Sequence, residues 1–306
     1  MEEGHPTLAA LVREKTGLSW SRARKLCEDG RVTVDGERRT DPAARVLATA
    51  VVVIDAHGAK VQRGPLAKEA IVFHDRDVVV VDKPPGLVTV GYEGEKDTLA
   101  EHARLMLRRL DPSARDTGLG VVHRLDRETS GLVVFTRTAQ AKRALAAQFR
   151  AHDMERSYVA LAYGEVAGGR IESYFLEDRG DGLRGSWGVF RRARGEPPDS
   201  AKHAVTHIKA LESLQGATLV ECRLETGRQH QIRIHLAERG HPVLGEKVYI
   251  RDYEGKGIEA PRTLLHARTL GFRHPRSGRE VRFEREAPED FRSILDSLRR
   301  GAMMRA

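Results

Sequence analysis

Cysteine is nearly absent from this 306-residue chain: Cys27 and Cys222 are the only two, far apart in sequence. That excludes a disulfide framework and a cysteine-ligated zinc site, and both thiols are read as inert core residues. Long apolar runs are missing too. No window approaches the roughly 18 residues that a membrane-spanning helix needs, and residues 1–5 carry two glutamates where a secretory leader would be basic and then apolar. A soluble, cytoplasmic protein is expected. Cofactor signatures are also lacking. Gly180, Gly182 and Gly185 spell a literal GxGxxG, but Glu177-Asp178-Arg179 precede it in place of a strand, and Trp187, Gly188 and several arginines stand where a helix should begin. Residues 179–194 are therefore read as a flexible basic loop. His123, His230 and His235 lack metal-ligand spacing and are read as structural or partner-contacting. No metal and no cofactor is expected.

What the chain does have is positive charge. Lys+Arg number 52 against 44 Asp+Glu, a formal net charge of +8, and 41 of the 52 are arginine. Arginine's rigid fork suits phosphate oxygens and its plane stacks on bases, which favours a nucleic-acid partner. A GC-rich genome using arginine codons throughout is the other reading, and composition does not separate the two. With 40% hydrophobic and 31% charged residues the chain is globular. At roughly 100–200 residues per domain it holds one large or two ordinary domains.

The hydrophobic pattern divides it. Leu8, Leu11 and Val12 stand at i, i+3 and i+4, and a second helix is expected from an N-cap at Ser19 to Gly30. Residues 31–36 alternate and end in Asp-Gly, a hairpin signal, and residues 51–54 supply a further strand. On the second helix Ala23, Leu26 and Cys27 share the apolar stripe, while Arg22, Lys25 and Asp29 share the polar one. Arg22, Arg24, Lys25 and Arg31 form a candidate phosphate-facing patch, with a plain solvated helix face as the alternative. This stretch resembles the small RNA-binding module of a small-subunit ribosomal protein. The domains are expected at residues 1–57 for this module, 58–67 for a linker, and 68–306 for a larger α+β domain. There, strands are expected at residues 78–81, 121–122, 132–135, 158–163, 204–211 and 218–224, and helices at 98–110, 140–152 and 229–239.

Residues 120–135 are the most informative. Two apolar runs flank His123-Arg124-Leu125-Asp126-Arg127-Glu128-Thr129-Ser130, where an ordinary connection would use a few Gly, Asn, Asp or Pro. From chemistry alone Asp126 is a candidate nucleophile or base, Arg124 a phosphate or base contact, and Thr129 or Ser130 a cap; a salt-bridged turn is the structural alternative. The wording HRLDRETSGL resembles the active-site signature HRLDxxTSGL of the RluA-type pseudouridine synthases. Residues 71–89, 155–166, 224–249 and 264–275 resemble further family segments in the same order, so the likeness runs over residues 68–298.

The resemblance implies a mixed, largely antiparallel sheet with a central cleft, and residue roles within it. Asp126 would be the catalytic aspartate, Tyr158 would stack on the uracil, Arg233 would pair with Asp126, and Arg124 would displace the target base. Arg228 is the rival partner for Asp126, and His123 and Arg228 are counted among the RNA-binding residues. Whether Asp126 attacks the sugar, attacks the base or assists a glycal intermediate stays open. One departure stands out: the family's usual lysine two positions before the tyrosine is Arg156 here.

The expected function is a cofactor-free isomerase converting uridine to pseudouridine in structured RNA, with large-subunit ribosomal RNA favoured. Transfer RNA is one alternative substrate, and a non-catalytic RNA-binding or ribosome-assembly factor is an alternative of another class. A monomer is expected. The charge lies mainly in the larger domain. Residues 1–62 hold 10 basic and 9 acidic side chains, which leaves 42 against 35 for the remainder. Basic clusters at residues 137–150, 179–194 and 262–285 are expected to wall the RNA groove.

Overall fold

In a computed structural model of the chain, the described residues are 6–303 except 36, 40, 48–49, 56–65, 92–96, 113–117, 181, 190–194 and 252. Two compact units emerge, Met1–Gly64 and Pro65–Ala306.

In the first unit, helices α1 (Leu8–Thr16) and α2 (Trp20–Glu28) precede strands β1 (Val32–Val34), β2 (Glu37–Arg38) and β3 (Val52–Ile54), ordered β2-β1-β3. Thr7 and Ser19 cap the helices by accepting the N–H of Ala10 and Arg22. Gly17 closes α1 in the left-handed conformation. Leu8, Val12, Ala23, Leu26, Cys27, Val32 and Val34 form the core, and Arg22, Arg24 and Lys25 are exposed while Arg31 is half-buried. The expected linker falls almost wholly outside the described residues. Its end does not: Leu66 is buried in the core of the larger unit.

The second unit is built on β4 (Ile71–His74), β5 (Val78–Lys83), α3 (Leu99–Leu110), β6 (Gly120–Val121), β7 (Ser130–Thr136), α4 (Ala139–Arg150), β8 (Glu155–Tyr163), β9 (Gly169–Leu176), β10 (Gly185–Ser186), β11 (Lys202–Leu214), β12 (Ala217–Leu224), α5 (Gln231–Glu238), β13 (Leu265–Arg273), β14 (Glu280–Glu284) and α6 (Glu289–Met303). The strands form one sheet, ordered β10-β9-β11-β12-β8-β13-β7-β5-β4, with β14 beside β13 and β6 beside β7. Pairing is antiparallel except between β13 and β7, so the mixed, largely antiparallel α+β fold expected from the sequence is present.

The middle of the sheet is covered on both faces, which is why β5 and β7 read as unbroken apolar runs rather than alternating ones. Val79, Val81, Val133 and Phe135 pack with Leu99, Ala103 and Leu107 of α3 and with Ile232 and Leu236 of α5. Val78, Val80, Leu132 and Val134 meet Ala141 and Leu145 of α4 on the other side. Further along, Phe291 and Leu295 of α6 cover Val159, Leu161 and Tyr163.

Two expectations change. Residues 179–194 are not simply a loop: Gly185 and Ser186 form β10, paired to Phe175 and Leu176, and Glu238 accepts both the N–H and the hydroxyl of Ser186. Residues 190–194 of that stretch lie outside the described residues. Strands β9, β13 and β14 and helix α6 were not among the expected elements.

Candidate active site

Asp126 lies in the connection between β6 and β7, and buried groups grip that connection on both sides of it. The Thr89 hydroxyl accepts the N–H of Leu125 at 3.0 Å and donates to its carbonyl at 2.9 Å. The Lys83 ammonium donates to the carbonyls of Arg127 (2.8 Å), Leu87 (2.7 Å) and Pro84 (3.0 Å), and Arg262 Nη1 donates to the Glu128 carbonyl at 2.9 Å. Lys83 is fully buried. Gly131 follows at φ +108°, where a Cβ would run into the backbone of Ala267. Only glycine lets β7 approach β13 so closely while turning the chain out of the loop. The loop is thereby held at its flanks, leaving the Asp126 carboxylate partly open.

Helix α5 brings the cation. The Gln231 side chain donates to the Val205 carbonyl and Thr206 hydroxyl and accepts from the Thr226 hydroxyl and the Arg228 N–H, which uses its full hydrogen-bonding capacity. Arg233, two residues on, forks onto Glu246: Nε donates to Oε2 at 2.6 Å and Nη2 to Oε1 at 2.7 Å. Nη1 remains for Asp126, 3.4 Å from Oδ2. Burial works against the Arg233 cation, but the Glu246 hydrogen bonds and charge, with Asp126 behind them, outweigh it and hold its pKa above the ordinary value. For Glu246 burial likewise opposes the charged form, and Arg233 together with the N–H groups of Val248 and Tyr249 reverses that, lowering its pKa.

His230 precedes α5 in the left-handed conformation (φ +58°). Its Nδ1 is 2.8 Å from the Tyr249 hydroxyl and its Nε2 is 3.8 Å from Asp126 Oδ1. Burial lowers the His230 pKa, opposed by Asp126. The Tyr249 ring, 5.3 Å beneath the Arg233 guanidinium, completes the cluster, and burial pushes its phenol up to about 12. Tyr158 stands on β8, 8% exposed; burial raises its pKa, Arg156 lowers it and Asp126 raises it.

The structure thus brings Asp126, Arg233 and Tyr158 together. It takes Arg228 elsewhere: its Nε donates to the His203 carbonyl at 2.8 Å, so it is not the partner of Asp126. Arg124 is exposed and has no hydrogen-bond or ion-pair partner among the described residues. His123, expected as an RNA contact, is engaged within the protein instead. Its Nε2 accepts the Val134 N–H at 3.0 Å, its ring stacks on Phe149, and burial, then Arg156, pushes its pKa down to about 3. Glu246, Lys83, Thr89, Arg262 and Tyr249 were missed as individual residues, because each acts through a contact far away in sequence. Among the described residues no His, Cys, Asp and Glu side chains group as a metal site, and no helix is long and apolar enough to cross a membrane.

A carboxylate held open beside an oriented guanidinium and an aromatic side chain suits chemistry on a nucleobase. Comparison with known proteins agrees. Residues 77–238 match the family model described as RNA pseudouridylate synthase, and residues 8–52 match the S4 domain model. Ribosomal large subunit pseudouridine synthase D of Zymomonas mobilis subsp. mobilis is 35% identical over 95% of this chain and 92% of its own length. The protein of the same name from Pseudomonas aeruginosa is 35% identical over 92% and 88%. The solved structure of human RNA Pseudouridylate Synthase Domain Containing 4 shares the fold, with a TM-score of 0.60 at 24% identity over 76% of this chain and 93% of its own. The chain belongs to the RNA pseudouridylate synthase family, whose enzymes are isomerases, and it carries an S4 domain in its first unit.

Proposed function

We propose that this isomerase converts specific uridines of large-subunit ribosomal RNA to pseudouridine in the cytoplasm, as a monomer without metal or cofactor. The substrate assignment rests on the names of the relatives, which match nearly the whole chain. Residues 1–57 serve as the RNA-binding module and the residues after 57 as a linker, ending before Leu66, which the core of the catalytic domain takes in.

The observation that carries the site assignment is the Asp126–Arg233–Glu246 arrangement. Pseudouridine formation breaks the N-glycosidic bond, turns the uracil and rejoins it through C5, so the base must first leave its stack. Arg124, free at the rim, enters the space the base vacates. Tyr158 offers its ring to the extruded uracil, a contact worth about 1–3 kcal/mol per stacked base. Asp126 acts in the ionised form on the nucleotide. Arg233 keeps that carboxylate charged and aimed, and Glu246 keeps Arg233 from turning away. Arg228 and the exposed Arg22, Arg24 and Lys25, with Arg31, hold the RNA backbone.

The test is pseudouridine mapping of ribosomal and transfer RNA from a strain lacking the gene, complemented with wild type or Asp126→Asn. Sites in large-subunit ribosomal RNA should vanish on deletion, return with wild type, and stay absent with Asp126→Asn, whose RNA binding persists. Loss confined to transfer RNA would overturn the substrate, and an active Asp126→Asn would overturn the role of Asp126.

A further inference from the structure

Three arginines are buried among the described residues: Arg156, Arg233 and Arg262. Two are neutralised by bidentate carboxylates, Arg233 by Glu246 and Arg262 by Asp290. Arg156 is not. It is 9% exposed, yet among the described residues no carboxylate faces it, and its one hydrogen bond to them runs from Nη2 to the Glu225 carbonyl at 3.2 Å. Nε is buried with no acceptor, and the Phe149 ring lies 5.5 Å from the guanidinium carbon. Nη1 makes no hydrogen bond and lies against Gly227, so close that a Cβ there would stand 2.7 Å from it.

An unpaired buried cation is costly, because burial removes hydration that nothing replaces. The strain is visible in its pKa, which burial lowers against the smaller opposing pull of Tyr158. Its position is also specific. Arg156 and Tyr158 alternate along β8 and so project from the same face, about 6.6 Å apart along the strand. Both Arg156 and Asp126 act electrostatically on Tyr158. A nucleotide whose base lies on Tyr158 and whose backbone runs along β8 brings a phosphate to Arg156, since the spacing of the two residues is about that of one sugar.

We infer that Arg156 is a phosphate subsite, its open Nη1 receiving a phosphodiester that flanks the target uridine. The inference rests on the proposed RNA substrate and adds where its backbone is gripped beside the reacting base. The RNA supplies the anion that the fold withholds, so the guanidinium is compensated only when substrate is in place. Glycine at 227 leaves room for the phosphate oxygens to reach Nη1.

The experiment uses synthetic RNA hairpins containing a mapped target uridine, with all phosphates charged or with one neutral methylphosphonate immediately 5′ or 3′ of it. Single-turnover rates and KM are measured for wild type, Arg156→Lys and Arg156→Met. Wild type should lose about 10- to 100-fold in kcat/KM when one of the two linkages is neutral, the scale of one charge-assisted contact. Arg156→Met should show that loss on fully charged RNA and no further loss on the neutral linkage, and Arg156→Lys should fall between. If Arg156→Met fails to fold, the wild-type and Arg156→Lys series on the two modified RNAs still decides. Multiplying losses at both linkages, as a purely structural bracing of Phe149 would give, or indifference of wild type to both, overturns the subsite. A wild type inactive on the RNA in every form overturns the functional reading beneath it.

Discussion

Glu246 shows how a side chain one contact removed from Asp126 sets the geometry of the site. Its carboxylate is fully buried, takes two arms of Arg233, and accepts backbone N–H groups from Lys247, Val248 and Tyr249. Glu246→Gln leaves the Arg233 cation without its counter-charge, a change that costs about 3–5 kcal/mol in buried pairs. A urea midpoint shift and a fall in kcat larger than the change in KM should both be seen. The pH dependence has a definite sign. The folded-state pKa of Glu246 lies below its ordinary 4.5, so its stabilisation is complete above that value and is lost as pH falls through the folded pKa. Urea titrations at neutral pH and in the acid range should show Glu246→Gln weakening the protein at neutrality and narrowing the gap in acid. The thiols make a simpler case. Burial pushes Cys27 up to about 11 and Cys222 up to about 12, so neither should react with a disulfide reagent until denaturant is added.

Elements position Asp126 through backbone contacts rather than through its own side chain. Thr89→Val keeps the shape but strips the hydroxyl that serves both polar groups of Leu125. This should cost about 1–3 kcal/mol and lower kcat with KM unchanged, as steady-state kinetics on hairpin RNA would show. Gly131→Ala is harsher, because both the positive φ and the Ala267 backbone exclude a Cβ; no folded protein is expected on purification. Legibility varied among elements for physical reasons. Helices α1 to α4 were readable because one face meets a core. Helix α5 is buried from Gln231 through Leu236 on every side, so it has no polar face whose periodicity would tell Arg233 from a surface charge. Helix α6 was overlooked although Phe291, Ile294, Leu295 and Leu298 stand at i, i+3, i+4 and i+7. Strand β9 buries only Ile171 and Phe175 along its length, which gives little alternation to read.

At the scale of the whole molecule the +8 becomes an interaction with a polyanion. Arg22, Arg24 and Lys25 lie exposed on α2, opposite its buried Ala23, Leu26 and Cys27. Replacing all three with glutamate should weaken RNA binding most at low salt and reduce the slope of log K against log salt by about 2–3. The turnover rate at saturating RNA should be kept. Filter binding over a salt series measures the first, and a change in saturated turnover would place these residues in the catalytic step instead. The ordered wording of HRLDRETSGL and the segments around it determined the family, because a run of charged and hydroxyl side chains set between two apolar strands stays legible along the chain whatever packs against it. Likewise the apolar runs determined the central strands β5 and β7, since burial on both faces demands them whatever their neighbours. The partners of those residues were decided only by the tertiary structure. Glu246 beneath Arg233, Lys83 and Thr89 around the loop, Arg228 turned to His203, and Arg156 set on the Glu225 carbonyl are all contacts between separate segments. Such contacts depend on how strands order and cross in the sheet, and local pattern carries no record of that.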